Sequence, residues 1–125
     1  VAQFDDYVAI DNLHVICQLT LGENIADLGG LTVSYDSLQL DLANKKMQAI
    51  DGFSQDQRFF MNWATVWRRN YTPDELKVRL NTDPHSPAHY RAIGAPSNLD
   101  SFATAFSCKA GDAMVRSGDK KVTIW

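Results

Sequence analysis

Apolar positions along the chain gather in stretches of helical spacing, separated by segments rich in turn-forming residues. From Leu21 onward, Ile25, Leu28, Val33, Leu38, Leu40 and Leu42 recur at mixed three- and four-residue intervals. That spacing predicts a helix from about Glu23 to Lys46, with an acidic start and a basic end that both suit the helix dipole. Gly29-Gly30 falls inside it, and each glycine costs about 1 kcal/mol relative to alanine in a helix. The pair either lets another body approach closely or ends one helix and starts another. Phe59, Phe60, Trp63, Val66 and Trp67 make an apolar stripe that predicts a second helix from Asp56 to about Asn70. A third starts with Thr72 as cap, Pro73 in the first helical position and Glu75 completing a capping box, and runs to about Thr82. Two prolines keep Asp83-Pro84-His85-Ser86-Pro87 out of regular helix. A fourth, short helix is expected from Ser97 to about Phe106, with Leu99, Phe102, Ala103 and Phe106 on one face.

The flanks are less regular. Residues 1–20 read as an extended or looped lead-in with a turn at Asp11-Asn12, and the tail from Cys108 reads as loop ending in a short strand, Val122 to Trp125. With no internal repeat and no linker, the 125 residues form one segment without an internal boundary, mainly α. The start at Val1 without Met predicts a fragment of a longer chain.

Composition, 45% hydrophobic and 22% charged, is that of a globular protein, and the net charge of −3 argues against a general nucleic-acid binder. No apolar run reaches membrane-spanning length, so no membrane contact is expected from this segment. Charge is unevenly placed. Residues 1–44 hold seven acids and no Lys or Arg, while the rest hold 12 basic residues and 8 acids, giving −7 and +4. This predicts attraction between the halves or an acidic face turned toward a cation, the alternative being a solvated acidic face. Cys17 and Cys108 have no CxxC or Cys/His company, which excludes a zinc knuckle, and their spacing demands no disulfide.

Two constellations could carry chemistry. Glu23 and Asp27 lie one helical turn apart on the same face, where one carboxylate could bind a metal and the other hold a ligand of that metal. Acids also gather at helix starts for the dipole alone. His85 sits in a proline-stiffened segment with Asp83 two residues before it and Arg91 six after. Such a His can donate to an oxyanion and such an Arg can hold a carbonyl or carboxylate; a turn histidine and a surface arginine are the plainer alternative. His14, His89 and Cys108 have no such neighbours in sequence.

At these positions the sequence resembles a known family. Leu21-Gly22-Glu23-Asn24-Ile25-Ala26-Asp27-Leu28-Gly29-Gly30 resembles the ENxADxGG signature of the neprilysin and endothelin-converting-enzyme zinc metallopeptidases. Asn81-Thr82-Asp83-Pro84-His85-Ser86-Pro87 with Tyr90-Arg91 resembles their D-x-HSP-x-x-[FY]-R segment. Phe59-Phe60-x-x-Trp63-Ala64-x-Val66-Trp67, Ala105-Phe106-x-Cys108 and Trp125 fit in order and spacing.

The resemblance implies the C-terminal portion of a gluzincin (thermolysin-like) catalytic domain. Glu23 matches the third zinc ligand, and Asp27 the carboxylate that orients a zinc-bound His. His85 matches the oxyanion-stabilising His, with Asp83 orienting it. Arg91 matches the Arg that binds the substrate backbone, and Val66 and Trp67 match walls of the S1′ pocket. It implies a Zn²⁺-dependent metalloendopeptidase cutting peptides on the amino side of hydrophobic residues, in an extracytoplasmic setting.

No His-Glu dipeptide occurs anywhere, so the HExxH segment with two ligands and the general base is absent. The expected partners are therefore a peptide substrate and the upstream part of the same polypeptide, and the chain alone is expected to be inactive. Arg68 and Val122 stand where vertebrate members carry Cys, which resembles bacterial members. The rival expectation is a non-catalytic helical module that binds peptide or protein through the uncovered face of the Glu23 helix.

Overall fold

The computed structural model describes residues 1–124. A short helix α1 (Ala2–Asp5) leads into a hairpin of β1 (Val8–Ile10) and β2 (Leu13–His14), antiparallel, with Val8 opposite His14 and Ile10 opposite Leu13. Helices α2 (Cys17–Leu42), α3 (Gln55–Val66), α4 (Pro73–Thr82), α5 (Ala88–Gly94) and α6 (Asp100–Ala105) follow. The mainly α class is as expected, and the turn at Asp11-Asn12 is present, Asp11 taking a positive φ of 50°.

Helix α2 is the spine. It begins at Cys17 rather than Glu23 because its first free N–H is met from outside: the Cys17 amide donates to the Asp5 carboxylate at 2.8 Å. It ends at Leu42 rather than Lys46, and it runs unbroken through Gly29-Gly30. A Cβ added at Gly30 would meet nothing within 4 Å, so none of the described residues makes a close approach there.

Two apolar clusters pack along this spine. Phe4, Val15, Cys17 and Leu80 make one, joined by Tyr7, Leu21 and Tyr90; Leu28, Leu31, Phe60 and Ala95 make the other, joined by Tyr35, Trp63 and Phe102. Between the two, α2 turns Asn24 and Asp27 inward, both buried. The polar centre of the molecule therefore lies between two cores, which hold α4, α5 and the segment joining them against one stretch of α2.

Other boundaries differ from expectation for local reasons. Helix α3 has the capping box Ser54/Gln57 and stops at Val66 rather than Asn70, since Arg68, Arg69 and Asn70 have no apolar face left to bury. Helix α4 matches its predicted span, with Thr72 accepting from the Glu75 amide. The expected Ser97–Phe106 helix is split into a 3₁₀ turn, Pro96–Asn98, and α6, with Leu99 extended at φ −102°, ψ 123°. Asn98 is drawn away by a buried network. Its side chain donates to Gln3 Oε1 and the Gly94 carbonyl and accepts from the Val122 amide. The lead-in proves to hold α1, the hairpin and the first turn of α2. Val122–Ile124 is not strand, and Trp125, the end of the expected strand, lies outside the described residues. Cys17 and Cys108 are both free thiols.

Candidate active site

Each candidate residue is delivered by a different local device. Helix α2 presents Glu23 outward, its side chain 41% exposed, and Asp27 inward one turn later. The segment after α4 is wound around Asp83. One oxygen, Oδ1, accepts both the His85 amide at 3.0 Å and the His85 ring nitrogen Nδ1 at 2.7 Å, while Oδ2 accepts from Arg79 at 2.6 Å. Burial would raise the Asp83 carboxyl, but the bonds from the His85 ring, the His85 amide and Arg79 outweigh it and hold it below its usual range. Pro87 then caps α5, which places Arg91 one turn in.

These residues converge. His85 Nε2 lies 3.3 Å from Glu23 Oε2, so the ring has a carboxylate at each nitrogen. Arg91 Nε and Nη2 donate to the two oxygens of Asp27, both at 2.6 Å, and Nη2 lies 3.6 Å from Glu23. The guanidinium stacks 3.9 Å over the Trp67 ring, and the Arg91 carbonyl accepts from Trp63 Nε1. Arg91 Nη1 has no acceptor among the described residues. Trp67 Nε1 is a buried donor without a partner among them, at a cost of about 1–3 kcal/mol.

Two clefts border the cluster. One of about 410 Å³ is lined by Trp67, Tyr71, Leu76, His85 and Arg91 among others. The other, about 370 Å³, lies between α2 and α3 and is lined by Ala26, Asp27, Gly30, Phe59 and Val66 among others. The structure thus gathers Glu23, Asp27, Asp83, His85, Arg91 and Trp67, and sets Val66, 65% exposed, on the second cleft apart from Trp67. The acidic first part and basic second part meet here and at Asp11–Lys77, 2.9 Å. No residue singled out from sequence covers Thr20, Asn24 and Ser86, which are buried at the base of the cluster. The available signal was position: Asn24 follows Glu23, and Ser86 follows His85.

The family model described as peptidase family M13 matches residues 1–122. This chain belongs to peptidase family M13. Among its relatives, an endothelin-converting enzyme homolog of Locusta migratoria is 42% identical over 117 residues, 91% of this chain and 16% of that protein. Membrane metallo-endopeptidase-like 1 of Mus musculus is 40% identical over 118 residues, 92% of this chain and 15% of that protein. The Mycobacterium tuberculosis zinc metalloprotease Zmp1 in complex with inhibitor superposes with a TM-score of 0.93 at 37% identity, over 99% of this chain and 20% of that one. The M13 chain described here therefore spans about a sixth to a fifth of the length of the relatives it matches, and its fold is that of a portion of a gluzincin catalytic domain.

The donor set fits a share of a zinc site. Glu23 is an accessible carboxylate that could serve as one zinc ligand, but zinc takes three protein ligands in a catalytic site, and among the described residues no group of three or more His, Cys, Asp or Glu is arranged to hold a metal ion.

Proposed function

We propose that this chain is the C-terminal part, residues 1–125 without an internal boundary, of the catalytic domain of a zinc-dependent metalloendopeptidase, and that it contributes Glu23 to the metal and His85 to the transition state. The observation that carries this reading is the meeting of two motifs 62 residues apart in sequence, Glu23 Oε2 and His85 Nε2 standing 3.3 Å from each other beside Arg91.

Bound zinc would polarise the scissile carbonyl and acidify a water. The chain's own residues would position the substrate and meet the developing charge. Asp83 fixes the His85 ring through Nδ1, leaving Nε2–H to donate to the oxygen on which negative charge develops. The long contact to Glu23 is weak enough to be exchanged for that oxygen. Asp27 holds Arg91 by two of its donors, and the free Nη1 is left to meet a backbone carbonyl of the peptide. Each Asp27 oxygen, already accepting from Arg91, keeps a second lone pair with which it would orient a metal-bound His from elsewhere in the polypeptide. Trp67, Tyr71, Leu76 and Leu80 give part of the 410 Å³ cleft an apolar surface for a hydrophobic side chain after the cut bond, beside the charged Arg79, Asp83 and Arg91, with Val66 lining the neighbouring groove. The remaining ligands and the general base come from an upstream part of the same polypeptide. The open space over Gly30, with Ile25 and Val33 about half exposed, suits a helix packing onto α2. An extracytoplasmic setting follows family habit; among the described residues no helix is long and apolar enough to cross a membrane.

The test compares the full-length protein, its Glu23→Gln variant and this chain alone. The full-length protein is expected to retain zinc and cleave peptides before hydrophobic residues. The variant loses both, and the chain alone does neither. Tight stoichiometric zinc binding by the chain alone, abolished by Glu23→Ala, would overturn the proposal, because the chain would then build its own metal site. Peptide capture by the full-length protein without turnover would favour a binding module instead.

A further inference from the structure

Beneath the exposed pair Glu23 and His85 lie three buried polar side chains. Ser86 is 2% exposed, Thr20 3% and Asn24 7%. The Ser86 hydroxyl lies 2.7 Å from Asn24 Oδ1 and 3.0 Å from Thr20 Oγ1, and Asn24 Nδ2 donates to Thr20 at 3.0 Å. The three contacts close a ring: Asn24 Nδ2 donates to Thr20, the single Ser86 proton serves Asn24 or Thr20, and the Thr20 proton either returns to Ser86 or goes to the Ile16 carbonyl at 3.4 Å. A weak contact from Asn24 Nδ2 to Cys17 Sγ at 3.8 Å ties the ring to the first apolar cluster.

The ring's place matters more than its strength. Successive residues on a helix point about 100° apart, so turning Asn24 into the core turns Glu23 out. In the non-helical segment before α5, Ser86 is buried while His85 is exposed. Each inward residue is thus the immediate neighbour of one chemical residue, and the two inward residues are bonded to each other. Among the described residues, the only other polar contact from the His85-Ser86 step to α2 is the long His85–Glu23 contact itself. A polar ring at this spot also costs desolvation that apolar packing would avoid, so packing alone gives no reason for it.

We infer that Thr20, Asn24 and Ser86 form a positioning clamp that sets the separation of Glu23 and His85, so that the metal ligand and the oxyanion donor keep their register as substrate passes. The inference rests on the peptidase reading above. Displacing a catalytic group by about 1 Å can cost about a hundredfold in rate, and partners standing behind metal ligands commonly cost tenfold to a hundredfold when removed.

The test uses the full-length protein with Ser86→Ala, the near-isosteric Thr20→Val, and a matched control, Ser97→Ala, which removes a buried hydroxyl from the separate Gln3–Asn98 network. The clamp predicts kcat lower by about tenfold to a hundredfold in Ser86→Ala, with KM changed less than about threefold and zinc retained. Thr20→Val should show a smaller fall of the same kind, and Ser86→Thr should restore part of the rate. Ser97→Ala should lower the melting temperature comparably and leave kcat alone. A second readout needs no turnover. The two carbon-bound protons of the His85 ring should each give one sharp NMR resonance in the histidine-labelled full-length protein and a broadened or doubled one in Ser86→Ala. Active wild type with kcat unchanged in Ser86→Ala, or equally reduced in Ser97→Ala, overturns the clamp alone. Wild type without zinc-dependent peptidase activity overturns the underlying reading and the clamp with it.

Discussion

Removing the Asp27 carboxylate should be the most damaging single polar change in the chain. Asp27 and Arg91 are 7% and 9% exposed and share two charge-assisted bonds of 2.6 Å. In Asp27→Asn one oxygen can still accept, but the new amide turns a donor toward a guanidinium donor. The fold then holds a buried cation without its counter-charge, a change that costs about 3–5 kcal/mol. The Trp67 face 3.9 Å away and the half-exposed Glu23 at 3.6 Å still stabilise that cation, so the lower end, about 3 kcal/mol, is expected. A chain of 125 residues has an unfolding entropy of about 0.26 kcal/mol/K, so the midpoint should fall by ~11 °C. Urea unfolding followed by tryptophan fluorescence measures the loss of free energy directly, since Trp67 reports on the stacked guanidinium. The paired variant Asp27→Leu/Arg91→Met should return to within about 1 kcal/mol of wild type, because the buried charge leaves with its partner. A loss under about 1 kcal/mol in Asp27→Asn would show that Arg91 is solvated in the fold. A paired variant no better than the single one would show that the pair is needed for shape rather than charge.

Gly94→Ala should destabilise by about 1–3 kcal/mol in thermal melts, since the new Cβ would stand 2.5 Å from Cζ of Phe4, whose ring is itself packed edge-on against Tyr7. Phe4→Leu in the same chain should relieve part of that loss, and an unchanged melt would refute the contact. Tyr35 is pushed up to about 12, first by burial and then by the charge and hydrogen bond of Asp56. The fold thus holds this proton more tightly than the unfolded chain does, so its contribution is whole below pH ~10 and is lost as pH rises from there to about 12. Phenolate absorbance should show a late titrating step that Tyr35→Phe removes.

How far the sequence was legible depends on how local the cause was. Helix α4 was read to the residue because Thr72, Pro73 and Glu75 carry its start within one turn. The start of α2 was misplaced because its cap is Asp5, across a hairpin that no short window links to it. The split before α6 was hidden for the same reason: Asn98 answers to Gln3, 95 residues away. The site followed the same rule. Spacing alone left Glu23–Asp27 and Asp83–His85 with plain alternatives, and only the motif resemblance joined them. The Asp27–Arg91 bond, the separation of Val66 from Trp67 and the Thr20–Asn24–Ser86 ring depend on which side each backbone turns, which is settled by packing.

Helix α2 is about 39 Å long, yet every buried residue on it lies between Cys17 and Leu31. It is one helix by shape and two bodies by thermodynamics. Amides in its first half can exchange only when both apolar clusters open, so their exchange should track global unfolding. Those beyond Asp36 can fray alone and should exchange orders of magnitude faster. Glu23 and Asp27 ride on the slow half, so fraying at the far end of the helix leaves the candidate site undisturbed.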